Sequence, residues 1–231
     1  MGRDRRGPSV AVMPERHDIE FFFDPVCPFA WITSRWILDV APERGATVAW
    51  RFISLAIVNE GEDYAAEFPP AYPVLHGLGR DLLRVAARAR QDGGDDAVAA
   101  FYTAAGEKLH VGGTTVALYR GAPVPDDLVA GIVAAAGLDP VLAEAAVDES
   151  LDGVLREETA LALSRTGSDV GTPIVTFDAG TATECSLFGP VISRAPRGDE
   201  ALELFDAVRT LARTRTFAEL KRSLREPLDF A

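Results

Sequence analysis

Residues 17–23 read His-Asp-Ile-Glu-Phe-Phe-Phe and stop at Asp24-Pro25. A short aromatic run bounded by turn residues predicts a buried strand. From Pro28 to about Val40 the apolar positions Ile32, Trp36 and Val40 recur every four residues, with Ile37 beside them. That spacing lines one face of a helix, which Pro42 is expected to stop. Thr47–Ser54 alternates instead, with Val48, Trp50 and Phe52 on one side, as a strand does. Strand, helix and strand predict a right-handed βαβ crossover.

The period then becomes helical over residues 62–167. Arg80–Gln91 and Asp95–His110 are periodic and Ala-rich, and Asp126 is placed to cap a helix through Ala136. Asp139-Pro140 supplies an N-cap and first-turn pair, and Glu149–Arg165 predicts another helix, closed by Gly167. So much helix between strands predicts an all-α insertion, not a linker. Strands resume at Ile174–Phe177, and a turn at Asp178-Ala179-Gly180 joins them to Ala182–Phe188, a hairpin signal. Asp199 opens a helix with Ala201, Leu204, Phe205, Val208 and Leu211 on its apolar side. Thr216 and Glu219 form a capping box for a last helix. The order is β-α-β then β-β-α, carried by residues 17–61 and 168–231 around the insertion at 62–167. The expected class is α/β.

Composition narrows the function. The chain has 231 residues and 48% hydrophobic content, enough for one large domain with an insertion. A formal net charge of −12 argues against nucleic acid or an anionic membrane as partner. No apolar run approaches the roughly 20 residues of a membrane span. Residues 1–16 are charged and lack an apolar centre, so they are expected to be a disordered tail and not a signal peptide. A cytoplasmic location follows as the expectation. Two cysteines and three histidines at these spacings make neither a disulfide framework nor a metal site, so no metal cofactor is expected.

Cys27 carries the chemistry. It lies where a turn opens a helix, and the unsatisfied N–H groups of a helix start stabilise a thiolate. Pro28 suits the first turn because its missing N–H costs nothing there. The expectation is a nucleophilic thiolate near neutral pH; the plain alternative is a buried structural cysteine. Position 30, where a second redox cysteine would stand, is alanine. Cys185 alternates with Thr183 and Leu187 and is expected to face the core, without a disulfide to Cys27. Asp24 is either a turn residue or a group that tunes the thiol.

The segments Phe23-Asp24-Pro25-Val26-Cys27-Pro28, Trp31 through Leu38, Ser54 through Glu60, Asp169-Val170-Gly171-Thr172-Pro173 and Phe188-Gly189-Pro190-Val191 carry a family resemblance. Together they resemble the DsbA-like branch of the thioredoxin fold, which includes kappa-class glutathione transferases and 2-hydroxychromene-2-carboxylate isomerases. Within that branch they are similar to the mycothiol-dependent reductases of actinobacteria. The resemblance implies a thioredoxin fold (βαβ–ββα) with a large helical insertion. It implies a cis Thr172-Pro173 opposite the nucleophile, with the backbone of Thr172 receiving the partner thiol. It implies that His110 faces the cleft as general acid or hydrogen-bond donor, where a helix C-cap is the plain role. It also implies that Asn59, otherwise a polar turn residue, helps to hold a small-thiol cofactor, with Phe29 beside it. The departure is the active-site motif: those reductases have Cys-Pro-Trp-Cys, and this chain has Cys27-Pro28-Phe29-Ala30.

Two functions compete. In the first, Cys27 attacks a disulfide or electrophile and a low-molecular-weight thiol, mycothiol or glutathione, not covalently held, resolves the adduct. In the second, Cys27 adds reversibly to a conjugated alkene and leaves after bond rotation, a cis–trans isomerisation without net redox change. The expected partners are a small thiol and an apolar or electrophilic substrate, with no nucleic acid and no membrane; a homodimer stays open.

Overall fold

The computed structural model describes residues 17–230, so the expected tail at 1–16 lies outside the described residues. Strand β1 (Ile19–Phe23) leads into helix α1 (Pro28–Glu43) and returns as β2 (Val48–Phe52), parallel to β1. Helix α1 runs past the expected stop, with Pro42 inside its last turn. Proline there forgoes one hydrogen bond, to the Leu38 carbonyl, and the helix ends one residue later at Glu43.

Every element between β2 and the next strand is helical. Short helices α2 (Leu55–Val58) and α3 (Tyr64–Glu67) precede α4 (Tyr72–Gly106). The two expected periodic helices are one 35-residue run, broken at Gly94, whose φ of 67° interrupts the helical backbone. A π-helical turn at Glu107–Val111 extends it, followed by α5 (Thr114–Tyr119) and α6 (Leu128–Ala135). Asp127, not Asp126, precedes α6, and its side chain makes no capping bond. Asp139 caps the next segment by accepting the Val141 N–H, but Pro140–Val147 winds as a 3-10 helix. Helix α7 (Asp152–Thr166) ends the series.

Strands β3 (Ile174–Phe177) and β4 (Cys185–Phe188) complete a four-stranded sheet in the order β2-β1-β3-β4, with β3 antiparallel to both neighbours. Helix α8 (Gly198–Arg213) follows. The expected last helix at Thr216–Glu219 does not form. Leu220 and Leu224 are exposed there, so no apolar face is buried to hold a helix. β4 is also shorter than expected, because residues 180–184 are spent in a turn where Glu184 accepts the Gly180 N–H.

The aromatic run of β1 is explained by cover on both faces. Ile19, Phe21 and Phe23 join the main core with Trp31, Trp36, Trp50 and Phe205. Phe22 packs on the other face with Ile174 and Ala162 of α7. Glu20 points to the α7 side as well and is buried, paired with Arg51 and Arg165. Glu158 of α7 joins this network, accepting from Arg51, Arg90 and the Phe52 N–H. Sheet order, parallel β1–β2 and the returning hairpin make this a DsbA-like thioredoxin fold with a large helical insertion.

Candidate active site

Cys27 is the N-cap of α1, and its Sγ accepts the Ala30 N–H at 3.4 Å. The helix thus offers the thiol a donor, as the sequence predicts. Its S–H in turn donates to the Thr172 carbonyl at 3.4 Å, across the sheet edge. The Thr172–Pro173 peptide is cis, and the Thr172 hydroxyl donates to the Phe22 carbonyl. Cys27, Pro28, Thr172 and Pro173 therefore meet in one place.

The ionisation state differs from the expectation. Cys27 is only 7% exposed. Burial pushes its thiol up to about 12; the Ala30 and Phe29 N–H groups pull it back, and the charge of Asp24 pushes it further up. Desolvation outweighs the helix start here, so the closed site holds a protonated thiol.

Asp24 is fully buried below the thiol. Its two carboxyl oxygens accept the Val26 N–H at 3.1 Å and the Leu55 N–H at 2.8 Å. Burial raises its carboxyl to about 7 against these two donors. It fixes the turn before the thiol and carries a charge that changes near neutrality. The sign of its linkage follows. A carboxyl raised on folding stabilises the fold fully below its unfolded value near 4, and that contribution is lost as pH rises through about 7. Asp24→Asn removes the charge above pH 7, so Cys27 is expected to ionise more readily and alkylate several-fold faster there. Below pH 6 the variant and the wild type are expected to converge, because Asp24 is already neutral. A pH series of iodoacetamide rates checks this; equal profiles above pH 7 would show that the carboxylate does not reach the thiol.

His110 is 2% exposed and does not face an open cleft. The π-helical turn brings its Nε2 to 2.9 Å from the Pro25 carbonyl. A carbonyl only accepts, so Nε2 carries the proton, and burial holds the ring neutral, at about 4. The imidazole donates to backbone two residues before Cys27 and stacks on Trp31 with centroids 6.2 Å apart. Its donor is thus committed to shaping the loop, which leaves no proton for general-acid work in this state. Helix α4 reaches this close because Gly79 and Gly106 lack side chains: a Cβ at Gly79 would overlap the Asp24 carboxylate, and one at Gly106 the Trp31 ring.

Asn59 ends α2, and its Nδ2 donates to the Leu55 carbonyl at 2.8 Å, the polar turn role. Phe29 is half-buried beside Pro28. Cys185 is half-buried, not core-enclosed, and both cysteines are free thiols. Cys185 pairs with Phe177, at the opposite end of β3 from Thr172. That separation, five residues or about 16 Å of extended chain, keeps it from Cys27.

An aromatic wall went unremarked in the sequence. Tyr64, Phe68, Tyr72 and His76 touch one another, with centroids 5.0 to 6.0 Å apart, and Tyr119 meets Tyr72 from α5 at 6.4 Å. Their spacing of four residues was the available signal. Burial raises the Tyr72 hydroxyl, and the charges of Tyr119 and Cys27 raise it further. Among the described residues, no cluster of three or more His, Cys, Asp or Glu is placed to hold a metal. No helix among them is long and apolar enough to cross a membrane.

Comparison with known proteins agrees with this fold. A solved 2-hydroxychromene-2-carboxylate isomerase is 17% identical, with a TM-score of 0.53 over 86% of this chain and 97% of that one, which shows a shared fold. A Mycobacterium tuberculosis H37Rv protein described as "Uncharacterized protein Rv2286c" is 30% identical over 208 residues, 88% of this chain and 81% of the relative. The family model described as "Mycothiol-dependent nitroreductase Rv2466c" matches residues 26–222, from the residue before Cys27 to beyond the end of α8. The chain therefore belongs to the Rv2466c-like family of mycothiol-dependent nitroreductases.

Proposed function

We propose that this protein is a single-thiol exchange enzyme, with Cys27 as nucleophile and a low-molecular-weight thiol as its second reactant. One observation carries the reading. Ala30 is fully buried with its N–H on the Cys27 Sγ, in the place where a second cysteine would close a disulfide. The resolving sulfur then comes from solution. The Cys27 sulfur attacks one sulfur of a substrate disulfide; the S–S bond breaks, and the leaving thiolate takes up the proton that Cys27 gives up. A small thiolate next attacks the mixed disulfide and regenerates Cys27. A second equivalent completes the reduction, so two small thiols pass two electrons to one disulfide.

The surrounding residues divide this work. Pro28 starts α1 and leaves the Ala30 N–H free for the sulfur. Thr172, beside Pro173, offers backbone to the incoming partner. His110 positions the loop. Phe29 and Asn59 are the proposed contacts of the small thiol, which is mycothiol on family grounds, with glutathione as the chemical equivalent. The substrate is apolar or electrophilic, matching the aromatic wall, and the reaction belongs in the cytoplasm, where a reduced thiol pool exists.

Ala30 also favours a second reading, reversible addition of Cys27 to a conjugated alkene, because no neighbouring thiol can divert the adduct. One experiment separates them. Incubation with oxidised mycothiol is expected to give a Cys27 mixed disulfide, seen as a mass increase on the whole protein and reversed by excess reduced thiol. No adduct, together with reductant-free conversion of a Z-alkene to its E form, would replace exchange by isomerisation.

A further inference from the structure

The chain does not end at α8. Residues 214–230 run without helix or strand and return to the active site. Three contacts define the path. The Asp229 N–H donates to the Ser193 carbonyl at 2.8 Å. Phe230 stacks on His110, centroids 5.6 Å apart and planes 29° from parallel. The Arg225 guanidinium lies over the Phe29 ring at 5.1 Å. Leu228 and Phe230 are half-buried against the main core, while Leu224, in the same segment, is exposed.

The two aromatic contacts bracket the nucleophile in sequence. Phe29 is two residues after Cys27, and His110 holds the carbonyl of Pro25, two residues before it. The segment ending at Phe230 therefore lies against both flanks of Cys27, from a part of the chain outside the sheet and the insertion. The family match stops at residue 222, so both covering residues lie beyond the matched stretch. We infer that Arg225 and Phe230 are specificity-determining residues: they form the outer wall of the Cys27 site and limit the size of the partner that reaches the sulfur.

The wall is held by weak forces. They are one cation–π contact at an exposed arginine and one ring stack. Such a cover yields to a ligand that replaces its contacts and excludes one that only needs the space. The inference rests on Cys27 being the reacting atom, as read above.

The test compares two neutral thiol reagents of different size, iodoacetamide and 4,4′-dithiodipyridine. Rates are followed on the Cys27 peptide by mass spectrometry, so that Cys185 does not interfere. Three chains are compared: the full chain, the double variant Arg225→Ala with Phe230→Ala, and a chain ending at Ser223. Cooperative thermal melting confirms that each is folded. Both altered chains are expected to react at least about tenfold faster with dithiodipyridine and to change less than about threefold with iodoacetamide. A common factor for both reagents, or no change in either, in the folded double variant overturns the inference. These rates measure access and need no turnover. If the mycothiol adduct forms on the full chain while the reagent ratio is unmoved, the wall is wrong and the exchange reading stands. If the ratio shifts and no adduct forms, the wall stands and the exchange reading falls.

Discussion

Cys27→Ser is expected to lower turnover at least about a thousandfold while leaving the fold intact. Serine is a preferred N-cap and accepts the Ala30 N–H as well as a thiol does, so thermal stability should hold or rise slightly. What is lost is chemical. Sulfur attacks a disulfide or an activated alkene, accepts the new bond and leaves again; a hydroxyl is far harder to ionise than even a buried thiol, is a poor nucleophile toward sulfur and does not leave readily from such an adduct. The two readouts together, turnover and melting temperature, separate chemistry from folding. Retention of more than about a tenth of the activity in a folded variant would mean that Cys27 is not the reacting group, and every role assigned around it would have to be reconsidered.

Ala30→Cys has the second largest expected effect, on the lifetime of the adduct. Residues 27 and 30 lie one turn apart at the start of α1, and the Ala30 N–H already touches the Cys27 sulfur at 3.4 Å. The introduced thiol falls within disulfide range, since residues three apart on a helix lie about 5 Å apart at Cα, inside the roughly 4.4 to 6.8 Å that disulfides span. Because Ala30 is fully buried, the extra sulfur is expected to cost about 1 kcal/mol of stability through overpacking. The gain is an intramolecular resolving step. The mixed disulfide with the small thiol should decay at least about a hundredfold faster than in the wild type, because an effective concentration replaces a bimolecular collision. Rapid quenching and whole-protein mass spectrometry measure it. If turnover is isomerisation, the same change should depress alkene conversion by drawing Cys27 into a disulfide. An adduct with wild-type lifetime, in a variant whose introduced thiol titrates as free, would show that the site has no room for a resolving sulfur.

Much of this architecture is legible in the chain because its signals are local. The strand at Ile19–Phe23 ends where Asp24-Pro25 says it must, and Cys27 caps α1 because a turn, a proline and a four-residue apolar repeat are contiguous. The same holds for the Asp139 cap. Where the local signal was present and the structure went another way, packing decided. Pro140–Val147 has a helix start and winds as 3-10. Thr216 and Glu219 form a box in front of residues with nothing to pack against, and no helix follows. Gly93 and Gly94 suggest a break between two helices, and the break survives only as a kink in one long run.

The sequence by itself determined the α/β class, the order of the strands, the helical insertion and the position of one sulfur at one helix start, since each depends on neighbours in the chain. Only the tertiary structure decided the state of that sulfur. Its thiol is protonated because burial desolvates it and the charge of Asp24 opposes its ionisation, and burial is a sum over residues distant in sequence. His110 shapes a loop for the same reason: Pro25 lies 85 positions away and its carbonyl takes the ring's only proton. The segment that brings Phe230 onto His110 is likewise invisible to any local pattern, because its place is fixed by what it covers and not by any periodicity of its own.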